Sequence, residues 1–200
     1  MLLIMGIGGQ TESYGENILP SRDVNLRERI DRILHTPEFK LDGEAYRGKY
    51  ELGDNASIKR YILDNLRKVY KNLDTGDKIT ITNNSAGKIA GHKGDAYRKT
   101  IIHVPTIIEN MKFLESTQAN RQDAKYGGYS YYITPINING NPYTVLSTVG
   151  KNKIGIYYDQ NIFEGTIQEV FAKAKNVTDA KYSRLIEILS DTKRSGWNPT

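Results

Sequence analysis

Apolar residues recur at helical spacing over Leu26, Ile30, Ile33 and Leu34, and again over Ile58, Tyr61, Ile62, Leu66, Val69 and Tyr70. Side chains three and four apart share one face of a helix, so each set predicts an amphipathic helix burying a single stripe. The first opens on a capping pair, Asn25 with Glu28 three residues on, and ends before Pro37 with His35 in its last turn. The second is capped by Asn55 or Ser57, and Lys59, Arg60, Arg67, Lys68 and Lys71 cover its other sides. The period then falls to two. A turn over Asp74–Asp77, with Gly76 free to take positive φ, feeds a strand at 78–82 in which Ile and Thr alternate. Asn83 to His92 reads as a loop of small and polar residues. Val104, Ile107, Ile108, Met111 and Leu114 predict a further helix, with Pro105 in its first turn.

Strands dominate the chain from Tyr129 to Tyr158. Tyr129–Ile138 and Tyr143–Val149 meet at Asn139-Gly140-Asn141, a hairpin signal, and Ile154–Tyr158 comes after a second turn. Pro135 and Pro142 point to an edge position or a bulge. Thr166 with Glu169 opens a helix that buries Ile167, Val170, Phe171 and Ala174, and Tyr182, Leu185, Ile186 and Leu189 place a last one. Residues 1–22 read as a loose arm, 38–56 as a polar connector with an extended piece near Tyr50–Leu52, and 118–128 as a mobile loop. Gly6-x-Gly8-Gly9 is not a dinucleotide fingerprint, because its third glycine is at the wrong spacing and no βαβ unit follows. The expected architecture is α+β, with helices packed on one face of a roughly four-stranded antiparallel sheet. Its expected divisions are an accessory arm and helix (1–54), a core domain (55–175) and a terminal helix with a polar tail (176–200).

Composition narrows the chemistry. With 26% charged residues and a mean hydropathy of -0.56, the chain reads as soluble, with no membrane partner. Met1 to Met5 is too short to span a membrane and lacks the basic region of a signal peptide, which leads to an expectation of a cytoplasmic location. There is no cysteine, and the three histidines form no His-x-x-x-His pair, so the expectation is a protein without metal or other cofactor. A net charge of +5 is ordinary for a soluble surface. Fourteen tyrosines, several beside Lys or Arg, add a reason to consider nucleic acid, since rings stack bases while cations hold phosphates. Tyrosines also fill half-buried strand positions, and most of these do so in an ordinary sheet.

One ordered set of residues is familiar. It runs through Asn72-x-Asp74-Thr75-Gly76-x-x-Ile79, Lys88-Ile89 with a histidine nearby, Ile107-Ile108-Glu109-Asn110, a Tyr-rich strand with an Asn-Gly turn, and Tyr157-Tyr158-Asp159. The set resembles the phage-associated barnase/EndoU/colicin/RelE-like nuclease domain, related to the large polyvalent protein-associated domains. Such domains often end MuF-type head-morphogenesis proteins or polymorphic toxins. The resemblance covers roughly residues 55 to 165. It implies a compact RNase-like fold, metal-independent RNA cleavage, RNA (tRNA among its classes) as substrate, and an immunity or antitoxin protein as partner. The chain departs from the pattern at Gln160, where relatives follow the Tyr-Asp pair with histidine, and glutamine cannot shuttle a proton at neutral pH.

Metal-free RNA cleavage needs an acid, a base and cations about a phosphorane, which directs attention to 83–103. His92 is the candidate acid or base, Lys88 the candidate phosphate ligand, and His103 the reserve, although its apolar neighbours also suit a capping role. Ser85, Arg98, Tyr131 and Tyr143 are the candidate substrate contacts. Asp74, Thr75 and Gly76 are assigned to turn geometry. A non-catalytic interaction or RNA-binding module on the same fold is the alternative, favoured by Gln160.

Overall fold

A computed structural model describes residues 22–118, 127–152, 155–174, 183 and 185–187. Nearly all of the expected arm and tail, and residues 119–126 of the expected loop, fall outside these. Helix α1 (Arg22–Leu34) already includes Asn25, which is therefore not its cap. Its stripe is as expected: Leu26, Ile30 and Ile33 are buried. Strand β1 (Phe39–Leu41) follows, and helix α2 (Asn55–Tyr61) is capped by Asp54, whose carboxylate accepts the Ala56 N–H at 2.8 Å. That corrects the expected cap at Asn55 or Ser57.

After α2 a π-helical turn (Ile62–Leu66) closes the helix. Val69 and Tyr70, expected on the helix, belong instead to β2 (Val69–Lys71), where Tyr70 is buried between two exposed neighbours. Two apolar residues at the end of a helical stripe fit period two as well as period 3.6, and here the strand wins. β2 pairs antiparallel with β3 (Lys78–Thr80), so the strand expected at 78–82 forms a separate two-stranded ribbon. Asn72 locks the turn between them. Its Nδ2 donates to the carbonyls of Ile108 and Met111, and its Oδ1 accepts from the Asp74 and Thr75 N–H groups. Asp74 in turn accepts from Arg32 of α1 and from the Phe113 N–H, so the motif joins three elements.

The polar stretch expected to be a loop is helix α3 (Asn83–Gly91), with Thr82 as its N-cap accepting the Ser85 N–H at 3.2 Å. Its buried stripe is mostly small (Ser85, Ala86, Ile89, Ala90), so the hydrophobic signal is faint. Helix α4 (Asp95–Thr100), a 3₁₀ turn (Ile101–His103) and helix α5 (Val104–Asn110) follow. Met111 turns extended, so Leu114, expected on that helix, lies in β4 (Lys112–Gln118) at a bulge.

The main sheet holds β4, β5 (Gly128–Ile138), β6 (Asn141–Asn152), β7 (Gly155–Glu164) and β1, with helix α6 (Ile167–Ala174) after it. The hairpin signal is observed: Asn139 and Gly140 both take positive φ, 50° and 91°. The fold is α+β, but the sheet is five-stranded and mixed, because β1 runs parallel to β5 along Ile136–Ile138. β4 occupies the same flank of β5 up to Ile133, and Pro135 falls in the gap between the two, where a missing N–H costs least.

Helices also cover both faces, not one. Tyr131, Ile133, Leu146 and Phe163 pack with α1 and α6, whereas Tyr132, Val149 and Tyr158 pack with α2–α5. Ser130 to Ile136 is therefore buried without alternation, as expected of a strand covered on both sides. The outer edge of β7 is sealed by α3: the Tyr158 N–H donates to Ser85 Oγ at 3.0 Å.

Candidate active site

α3 ends where Gly91 gives way to His92, whose backbone turns extended (φ -66°, ψ 147°). Gly94 then takes φ 102°, a left-handed conformation open to glycine, and the chain doubles into α4 at once. Arg98 braces this corner from one turn along α4. Its Nε donates to the His92 carbonyl at 3.2 Å, while its terminal nitrogens donate to the Leu52 carbonyl and to Asn55 Oδ1. The corner carrying His92 is thus fastened to the start of α2.

His92 meets Asp159 of β7 across that corner, with Nε2 2.9 Å from Oδ1. A carboxylate only accepts, so Nε2 carries the proton and Nδ1 remains the basic nitrogen, which no described residue engages. Asp159 Oδ1 also accepts the Gln160 N–H at 3.0 Å, which fixes the carboxylate on the strand edge. The imidazole lies against Tyr97, with ring centroids 4.6 Å apart and planes at 26°. Both members of the pair stay partly open, with side-chain exposures of 30% and 19%.

Apart from that N–H, Gln160 takes no part in this opening, and its side chain turns into the core. It is buried, accepts from the Tyr158 hydroxyl at 2.9 Å and donates to Thr100 Oγ1 at 3.1 Å. Thr100 in turn donates to the Tyr97 carbonyl at 2.6 Å. An amide, carrying donor and acceptor together, completes this buried chain of bonds, which ends on the backbone of the tyrosine beside His92. Burial also pushes the Tyr158 hydroxyl well above its ordinary pKa, so it stays neutral there.

A cleft of roughly 610 Å³ opens beside the corner. Lys93 lines it from the α3–α4 turn, Asp95 from the start of α4, Tyr143, Ile162 and Glu164 from the sheet, and Lys173 from α6. Tyr97 belongs to its wall as well as to the His92 stack.

Of the residues singled out in the sequence, Lys88 is on the exposed last turn of α3, His92 caps that helix, and Tyr143 lines the cleft. The others stand elsewhere in the packing. Ser85 is fully buried and accepts from β7, and Arg98 is committed to the corner. His103 donates from Nε2 to the Asp42 carbonyl at 2.8 Å, holding the segment after β1. Tyr131 is 8% exposed in the core beneath α1 and α6. Sequence reasoning missed Asp159, Lys93, Glu164 and Lys173. Asp159 stands in the Tyr-Tyr-Asp run, but nothing in one sequence says which residue 67 positions away it faces.

A family model, large polyvalent protein-associated domain 3, matches residues 51–158. No curated protein and no solved structure matches the chain. The matched stretch runs from before α2 into β7 and contains the Asn72 motif, the His92 corner and Tyr143, and it stops one residue short of Asp159. It is more than half of the chain, and the chain belongs to the large polyvalent protein-associated domain 3 family.

Proposed function

We propose that the chain is a metal-independent ribonuclease module, used as a toxin or effector within a phage or mobile-element protein, with His92 as its acid/base group. The single observation that supports this most is the His92–Asp159 pair, partly open at the side of a cleft whose lining includes lysines. In the reaction His92 Nδ1 takes the proton of a ribose 2′-hydroxyl, the 2′-oxygen bonds to phosphorus, and the bond from phosphorus to the 5′-oxygen breaks. The leaving oxygen is protonated by water, and Lys88 and Lys93 offset the charge gathering on the phosphate. Asp159 holds the imidazole in the tautomer that leaves Nδ1 basic and stabilises the imidazolium that forms.

This route leaves a 2′,3′-cyclic phosphate and a 5′-hydroxyl. The test is an RNA oligonucleotide incubated with the protein in EDTA, with the fragment ends identified by mass. Cyclic phosphate ends, and no cleavage where a 2′-deoxyribose replaces the scissile nucleotide, are expected; cleavage at the deoxy position would overturn the mechanism. The second reading, an RNA-binding or interaction module without catalysis, is favoured by one observation: His103 and Arg98 are both bonded to backbone carbonyls, which leaves His92 as the proton carrier of the corner. RNA binding without cleavage would select it. In either case RNA and an immunity protein are the proposed partners.

A further inference from the structure

The cleft beside His92 holds four ionisable side chains that do not pair with one another. Lys93, Asp95, Glu164 and Lys173 line it, and among the described residues none of them forms an ion pair. Two cations alone would suit any phosphate. Two carboxylates in the same cleft repel phosphate and accept hydrogen bonds, so the lining suits a ligand with negative charge at one end and N–H donors at the other.

The sheet wall gives that second end a shape. Tyr143 and Glu164 are direct partners across the β6–β7 ladder, so a ring and a carboxylate stand side by side on the same face. The backbone flanking the pair is tied together: the Gly165 N–H donates to the Pro142 carbonyl at 3.0 Å, and Thr144 Oγ1 donates to the Gly165 carbonyl at 3.2 Å. An aromatic ring beside a carboxylate acceptor is an arrangement that can stack a base and read its edge. Tyr143 lies within the segment matched by the family model, whereas Glu164 and Lys173 lie beyond it.

We infer that the cleft is the base subsite next to the scissile phosphate, and that it takes a base bearing an exocyclic amino group in preference to uracil. The inference rests on the ribonuclease reading and deepens it. Guanine, adenine and cytosine each present an amino donor that a carboxylate can accept. Uracil presents one N–H between two carbonyls, and both carbonyls repel Glu164. Tyr143 stacks on any base and so contributes affinity without choice, while Lys93 and Lys173 hold the flanking phosphates.

The experiment measures binding of the 3′-monophosphates of guanosine, adenosine, cytidine and uridine to the full chain by titration calorimetry, beside RNA cleavage. Uridine 3′-phosphate is expected to bind about tenfold more weakly than the other three, the low end of what one base-edge contact discriminates. Glu164→Gln should collapse that ratio, because an amide donates to a uracil carbonyl as readily as it accepts from an amine. The ratio is the decisive readout, since loss of a negative charge raises the affinity of all four phosphates together. Tyr143→Ala should weaken all four alike. Equal binding of uridine 3′-phosphate by the native chain, or a ratio unchanged by Glu164→Gln, would overturn the subsite. RNA cleaved without regard to base, with no mononucleotide bound, would remove the subsite and leave the ribonuclease standing. Selective mononucleotide binding without any cleavage would do the reverse.

Discussion

At the scale of single residues, the site depends on one bond, from His92 Nε2 to Asp159. Asp159→Asn keeps the size of the side chain and removes its charge, so the imidazole loses both its fixed tautomer and its counter-charge. RNA cleavage is expected to fall by about 10²-fold or more, within the range that positioned proton transfer contributes. The pair is partly exposed, so the midpoint of urea unfolding should move little, by no more than about 1 kcal/mol in stability. Cleavage and unfolding measured on the same preparation separate the two effects. His92 is legible in the sequence because it stands among small polar residues, away from any apolar stripe. Asp159 is not, because its partner lies 67 residues away and only the folding of α3 along the edge of β7 brings them together. Ser85 misleads for a similar reason: a serine in a polar run looks available, and here it is the cap that closes a strand edge.

At the scale of elements, the features most legible in the sequence are those fixed by local chemistry. Thr166 and Glu169 bond each other's backbone N–H groups at 2.8 and 3.3 Å, the reciprocal pattern their spacing announces. Asn139-Gly140 makes the tight turn between β5 and β6 because both residues tolerate left-handed backbone. Gly140→Ala forces a Cβ into φ 91° and should destabilise the chain by about 1–2 kcal/mol, read as a lower urea midpoint with an unchanged slope. An unchanged midpoint would mean that the turn does not set the register of the hairpin. Elements fixed by tertiary packing leave a weaker trace. α3 buries Ser and Ala beside a single Ile, so its stripe hardly differs from a polar loop, and β2 is hidden behind the apolar run of α2. The parallel pairing of β1 depends on where a connector crosses the sheet, and three residues of strand leave little pattern of their own.

For the whole molecule, two layers of helices enclose a mixed sheet, and buried tyrosines sit on the sheet and in the helical layer facing α2–α5. Burial raises the hydroxyl pKa of Tyr50, Tyr132 and Tyr158 above the ordinary value of about 10. The native state therefore keeps these protons where the unfolded chain has released them. Stability is fully present below about pH 10 and falls as pH rises beyond it, which a series of urea unfolding curves from pH 8 to 11.5 would record. Stability that stayed flat above pH 10 would contradict the burial of these hydroxyls. Beside that enclosure His92 and Asp159 stay partly open, next to the residues that line the charged cleft. The most direct measurement is the initial rate of RNA cleavage in EDTA by the native chain, His92→Ala and His103→Ala at equal concentrations of folded protein. The native chain and His103→Ala should cleave at similar rates, with His92→Ala slower by about 10²–10⁴-fold. Undiminished cleavage by His92→Ala would contradict the assignment of the proton step to this corner.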